Sequence, residues 1–345
     1  MDCPDHSASR PRHIPGSTGH KSYVITGGLG GFGLELAEWM VNRGCRKLLL
    51  TSRSGVRTGY QRLCLHRWQK AGANVITRQI DASVEDGARR IIEEATSMGP
   101  VGGIFILAVL LRDGFLENQT AEAFETVFKI KIDGTRYLDQ LSRGMCPELD
   151  HFVAFSSLSA GYGNVGQTNY GYANSAMERI CELRAARGLP GLAIQWGAIA
   201  DVGAFHEIMG DDATIAGTTP QRISSCITLM DQFLHQSHPV VSSCVKADLS
   251  TEGDNNKCDL VEVIARILGF KDKASLNHAI CFSELGMDSL MAVEVRQAIE
   301  RHICLTLSTQ EIRQLTINEL QKLRESSQSQ LDSINTAYGQ LTKNV

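Results

Sequence analysis

The chain has 345 residues, 43% of them hydrophobic and 21% charged, with a formal net charge of −4 and a mean hydropathy of −0.11. That length suits a large and a small domain, and the balance supplies neither a basic footprint for nucleic acid nor an apolar run long enough to span a membrane. Ten cysteines without a CxxC pair read as reduced thiols of a cytoplasmic protein, with no metal-ligand spacing.

Residues 1–20, rich in Pro, Ser, His and Gly, read as a disordered leader and carry no secretory pattern. Ser22–Thr26 then reads as a strand, Leu34–Arg43 as a helix and Lys47–Thr51 as a second strand. Further along, the pattern predicts helices at Tyr60–Ala71, Glu85–Ser97, Ala121–Leu141 and Asn169–Arg187. Strands are predicted at Asn74–Gln79, Gly103–Leu107, His151–Ser156 and Gly191–Gln195. Such alternation predicts an α/β fold, a Rossmann-type doubly wound parallel sheet over residues 21–247. Ala198–Thr219 reads as irregular, Pro220–His235 as a helix, and Pro239–Val241 as a last short strand. Residues 248–258 read as a polar linker. Residues 259–326 show helices at Leu260–Leu268, Ser289–His302, Ser308–Gln314 and Thr316–Ser326, the pattern of a small all-α four-helix bundle, and 327–345 a flexible tail.

Between the first strand and helix lies Gly27-Gly28-Leu29-Gly30-Gly31-Phe32-Gly33. Glycines there let a backbone approach a pyrophosphate, whose charge the helix N-terminus favours. A tight turn without a ligand is the competing reading. The second strand ends in Thr51-Ser52-Arg53-Ser54, where an NAD site would carry an acid. Arg53, with Ser52 donating, suits a 2′-phosphate, so NADPH is favoured over NADH. An ordinary solvated arginine is the alternative. Asp81, after the third strand, is a candidate for the adenine edge.

The fifth strand ends in Ser156-Ser157, and Tyr170 and Asn174 follow at i, i+4 on one helix face. This pattern resembles the short-chain dehydrogenase/reductase family, with Asn174 standing where the general Tyr-x-x-x-Lys pattern has lysine. A lysine occurs instead in Lys129-Ile130-Lys131-Ile132. That exchange is the hallmark of ketoreductase domains of fatty acid and polyketide synthases. The resemblance to an animal-type (type I) fatty acid synthase runs from about residue 20 to 325, through Tyr23–Leu36, Leu111–Thr120, Pro147–Asp150, Asn169–Cys181 and Gly188–Gly203.

The resemblance implies a 3-oxoacyl-[acyl carrier] reductase. Tyr170 would donate the proton, Lys131 would lower its pKa and hold the nicotinamide ribose, and Ser157 would bind the substrate carbonyl. Asn174 would position Lys131 or a bridging water; Lys129 is the rival for Lys131. Leu111-Arg112-Asp113 resembles the loop that accompanies D-3-hydroxy products.

Leu285-Gly286-Met287-Asp288-Ser289-Leu290 resembles the Asp-Ser-Leu motif of acyl carrier proteins, with Ser289 as the attachment point for 4′-phosphopantetheine. A plain helix cap is the bland alternative. Implied partners are a 3-oxoacyl thioester, a phosphopantetheinyl transferase and other fatty acid synthase domains, with no nucleic acid, membrane or metal. No ketoacyl synthase, acyltransferase, dehydratase, enoyl reductase or thioesterase pattern is visible, so a synthase fragment is expected. A carrier or docking module without autonomous activity, or the terminal reductase and carrier of a polyketide synthase, remains open.

Overall fold

The computed structural model describes residues 19–164, 166–200 and 218–246, and, in the C-terminal part, 260–268, 270, 277–287, 291–292, 294–296, 298–299 and 307–323. The chain divides into two compact units, Met1–Ala247 and Asp248–Val345.

In the first unit, seven strands form one parallel sheet. They are β1 (Ser22–Thr26), β2 (Lys47–Thr51), β3 (Asn74–Arg78), β4 (Val101–Ile106), β5 (His151–Ser157), β6 (Leu192–Trp196) and β8 (Val240–Ser243), in the order β3-β2-β1-β4-β5-β6-β8. The near-continuous apolar strands, such as Val24-Ile25 and Leu48-Leu49-Leu50, are buried because helices cover both faces. Their side chains alternate between two cores. Ile25, Leu48, Leu50 and Ile194 pack on one face; Val24, Leu49, Ile104 and Ala193 pack on the other. The strand order reverses between β1 and β4, which places a crevice at the carboxyl ends of these strands.

The helices follow the sequence closely: α1 (Gly31–Asn42), α2 (Gly59–Lys70), α3 (Glu85–Met98), α6 (Thr168–Ala186) and α7 (Ile223–His235). The single helix expected over 121–141 differs. It is α4 (Ala121–Phe128), a π-helical turn at Lys129–Asp133, then α5 (Gly134–Met145). A π turn widens the helix by one residue while its flanks keep the ordinary period, so apolar spacing does not reveal it. Within the stretch read as irregular, β7 (Thr218–Thr219) pairs antiparallel with β9 (Val245–Lys246); residues 201–217 lie outside the described residues.

In the second unit, α8 (Leu260–Ile267) turns Leu260, Val261, Ile264 and Ala265 inward. They pack with Phe282, Met287, Val295 and Ile299, with Ile312 of α9 (Thr309–Gln314), and with Ile317 and Leu320 of helical residues 317–323. Ser308 caps α9 in a reciprocal box with Glu311. Among the described residues this apolar interior is built from helices and the turn that carries Phe282 and Met287, as in a small helical bundle. The expected linker and Ser289 lie outside the described residues, as do most of 1–20 and all of 327–345.

Candidate active site

β1 ends at Thr26, and the chain turns at Gly27 with φ +71. A Cβ there would stand 2.9 Å from the backbone nitrogen of Ala108, so the turn lies flat against the end of β4. A Cβ on Gly33 would stand 2.7 Å from the Gly28 Cα, so α1 starts in direct contact with the turn. Gly30 is the helix N-cap and offers no side-chain bond; the first turn, with Gly31 and Phe32, holds no acid. The positive end of α1 is therefore left to an external anion. The Thr26 hydroxyl beside it is buried without a protein partner. Gln61 of α2 donates to the Leu29 carbonyl at 2.9 Å and fixes the outer side of the turn.

At the end of β2 the Ser52 hydroxyl accepts from Gly55 N at 2.9 Å, which leaves its own proton to donate. Arg53 is exposed beside it. Asp81 is exposed after β3 and accepts from Ser83 N at 2.9 Å. These observations fit a dinucleotide with a 2′-phosphate: a glycine cradle, an uncapped helix start, and a cation with no acid at the end of β2.

Four candidate residues converge at the ends of β5 and α6. Ser157 closes β5, and its hydroxyl accepts from Ser159 N at 3.2 Å. Tyr170 lies half-buried in the first turn of α6. Its phenol is pushed above the ordinary 10, chiefly by burial, while the side chains of Asn174 and Ser157 pull it down. Lys131 projects from the π turn, is 2% exposed, and places Nζ 5.1 Å from the Tyr170 ring centroid. Its ammonium donates to the Phe155 carbonyl at 3.2 Å and touches Met177 Sδ at 3.7 Å. Burial lowers Lys131 to about 7, with Glu178 opposing that shift. Lys129, two residues away, is exposed.

Asn174 is fully buried. Its amide nitrogen donates to the Tyr170 carbonyl at 2.9 Å, and its Oδ1 has no partner. Asn174 is thus not bonded to Lys131; an unpaired buried acceptor beside Tyr170 suits the alternative role of holding a water.

Asp113 accepts from Gln167 Nε2 at 2.8 Å, and Asn169 Nδ2 donates to the Arg112 carbonyl at 2.8 Å. The Leu111–Asp113 loop is therefore pinned to the start of α6, and burial raises the Asp113 carboxyl. One residue outside the sequence reading joins the site. Glu178, one turn beyond Asn174, is buried and accepts from Ser156 Oγ at 2.5 Å and Gln195 Nε2 at 2.9 Å. Its place in the series 170, 174, 178 was the available signal. Among the described residues no cluster of side chains could hold a metal ion, and no helix is long and apolar enough to cross a membrane.

Residues 21–201 match the KR domain family, and residues 258–323 match the phosphopantetheine attachment site family. A mycocerosic acid synthase-like polyketide synthase of Mycolicibacterium smegmatis is 30% identical over 90% of this chain and 16% of its own length. The phthioceranic/hydroxyphthioceranic acid synthase of Mycobacterium bovis is 37% identical over 53% of the chain and 8% of its own length. The chain thus spans less than a fifth of either relative. Among solved structures, an N-terminal ketoreductase from the macrolactin assembly line superposes with a TM-score of 0.58 at 30% identity, covering 66% of this chain and 45% of that one. A ketoreductase domain from the bacillaene assembly line gives 0.60 at 28% identity, covering 68% and 58%. The two matching families bring two cofactors, NADPH for the reductase and 4′-phosphopantetheine for the carrier. With the glycine cradle and the Tyr170 cluster on one unit and a phosphopantetheine domain on the other, the chain belongs to the ketoreductase (KR) domain family, joined to the carrier domain of a polyketide- or fatty-acid-type synthase.

Proposed function

We propose that the chain reduces the β-keto group of an acyl thioester, carried on a phosphopantetheine arm at Ser289, to a 3-hydroxyacyl thioester. The observation that carries this reading is the convergence of Tyr170, Ser157 and the buried Lys131 beside the crevice that begins at the glycine turn.

Gly27, Gly28, Gly30, Gly31, Phe32 and Gly33 would hold the pyrophosphate; Ser52 and Arg53 the 2′-phosphate; and Asp81 the adenine edge. NADPH, when bound, supplies the hydride for the ketone carbon. The Ser157 hydroxyl holds the ketone oxygen and orients the carbonyl. Tyr170 gives its phenolic proton to that oxygen as negative charge develops there. Lys131, against the Tyr170 ring, stabilises the phenolate left behind. Asn174 Oδ1 holds a water through which the phenolate is reprotonated.

Arg53→Ala is expected to raise the KM for NADPH about tenfold or more, the size of a lost charge-assisted contact, and to leave NADH kinetics unchanged. Initial rates with an acetoacetyl thioester read both. Equal effects on the two cofactors would remove Arg53 from the 2′-phosphate. The role of Lys131 also sets a pH dependence. Its ammonium is the active form, and burial brings it to about 7. Reduction therefore slows as pH rises through that value, approaching about tenfold per unit; a kcat profile at saturating NADPH measures this.

Two pathways share this chemistry. The sequence stretches support a fatty acid synthase, whereas the mycobacterial and assembly-line relatives favour a polyketide synthase. Identification of the products made in the native host separates them.

A further inference from the structure

We propose that Glu178 is the buried counter-charge and positioning residue of Lys131, holding its ammonium charged and seated at the end of β5. The proposal rests on the reductase reading for its catalytic meaning, but its geometry stands apart from that reading. Tyr170, Asn174 and Glu178 lie at i, i+4 and i+8, one stripe of α6 facing β5. Glu178 is 4% exposed, and among the described residues no lysine or arginine forms a direct ion pair with it.

Its carboxylate is locked on one side of β5 and β6 by two donors, Ser156 Oγ and Gln195 Nε2, and Gln195 is itself held by Ser242 Oγ at 2.6 Å. Lys131 reaches the same place from the π turn. Its ammonium sits on the carbonyl of Phe155, the residue before Ser156, and on the sulfur of Met177, the residue before Glu178. Lys131 and Glu178 are thus anchored on adjacent residues of β5, Phe155 and Ser156, and meet α6 at the adjacent positions Met177 and Glu178. A buried ammonium whose partners are a carbonyl, a thioether and the Tyr170 ring is poorly compensated, and a fixed anion nearby supplies what those dipoles lack.

Among the described residues, three other titratable groups stand near the pair or farther along α6. Tyr170 touches Lys131 through its ring. Cys181, the next inward group on α6, is pushed up to about 12 by burial and stays neutral. Arg184 lies farther along α6 and is satisfied by Asp139 of α5. Glu178 is thus the anion that supports Lys131, and it opposes the downward shift that burial imposes on that lysine.

The test uses the full chain labelled with ¹³Cε-lysine. The Lys131 signal is the one absent from a Lys131→Met chain. Glu178→Gln keeps both accepted hydrogen bonds within reach of its amide oxygen but removes the charge. Its expected effect is to lower the Lys131 midpoint by about one pH unit or more, as the loss of a nearby opposite charge does. The alkaline limb of kcat moves down by the same amount, and Glu178→Asp restores both. A purely structural glutamate would move neither, and an unchanged Lys131 midpoint in folded Glu178→Gln overturns the proposal. If Glu178→Gln does not fold, the melting temperature of Lys131→Met is compared with that of Lys131→Met/Glu178→Gln. Removing the carboxylate left without its cation must raise the melting temperature; a double variant that melts no higher than the single one overturns the proposal. A native chain without ketoreductase turnover would defeat the reductase reading alone, since the Lys131 midpoint still reports on Glu178.

Discussion

Tyr170→Phe is expected to lower kcat by about 10²–10⁴-fold, the range for removing a general acid, while NADPH affinity stays within about twofold of the native value. The substitution deletes one oxygen. The ring remains against Lys131, so the cation–π contact at 5.1 Å and the packing of α6 persist. The Tyr170 backbone carbonyl still accepts from Asn174, so the helix start is unaltered. What disappears is the phenolic proton that the proposed reaction transfers to the ketone oxygen. Ser157 is assigned to orienting the carbonyl, and Lys131 is turned into the protein toward Phe155 and Met177. Single-turnover kinetics with prebound NADPH separate the two quantities. Loss of binding together with rate would indicate that the phenol holds the cofactor rather than the transition state.

Asp139→Ala should be the most damaging substitution to stability, by about 3–5 kcal/mol. Asp139 accepts from Arg184 Nη1 at 2.7 Å and from Arg143 Nη2 at 2.5 Å, and the Arg184 side chain is 1% exposed. Arg184 also donates to the Pro190 carbonyl at 2.6 Å and stacks over Phe152 at 4.0 Å. Taking away the carboxylate strands that guanidinium in the core between α5, α6 and β5, where solvent cannot replace the lost partner. Arg143, about one-third exposed, is less affected. Urea unfolding of the full chain, followed through the transition of the first unit, reads the loss. Replacing both partners, Asp139→Leu with Arg184→Met, should recover most of it, because apolar groups of similar size carry no desolvation cost. A single substitution that costs less than about 1 kcal/mol would show that the pair is dispensable.

The sequence shows some of this and hides the rest for physical reasons. Strand and helix alternation is legible because each element buries one face and so repeats with its own period, as in Leu48-Leu49-Leu50 and the inward stripe of α8. The glycine turn is legible because a close approach such as that of Gly33 to Gly28 admits no side chain. Tyr170 and Asn174 are legible as neighbours one helical turn apart.

The π turn is not, since a fifth residue in one turn leaves no compositional mark. Yet it is the turn that carries Lys131, and whether Lys129 or Lys131 is buried depends on it. Asp139 and Arg184 are 45 residues apart, and nothing local announces their pairing. Glu178 shares the helical stripe of Tyr170 and Asn174, but the pairing of β5 with β6 that brings Ser156 and Gln195 to it leaves no local mark. Ser289 is carried by its motif and family match and lies outside the described residues.

If one chain both carries and reduces its substrate, the mass of the acyl arm shows it. The chain is modified at Ser289 by a phosphopantetheinyl transferase with acetoacetyl-coenzyme A, mixed with NADPH, and the released arm is weighed. The acetoacetyl arm is expected to gain two hydrogens, Tyr170→Phe chains to gain none in the same interval, and Ser289→Ala chains to acquire no arm. A folded, loaded native chain that binds NADPH and leaves the acetoacetyl arm unchanged would contradict this expectation.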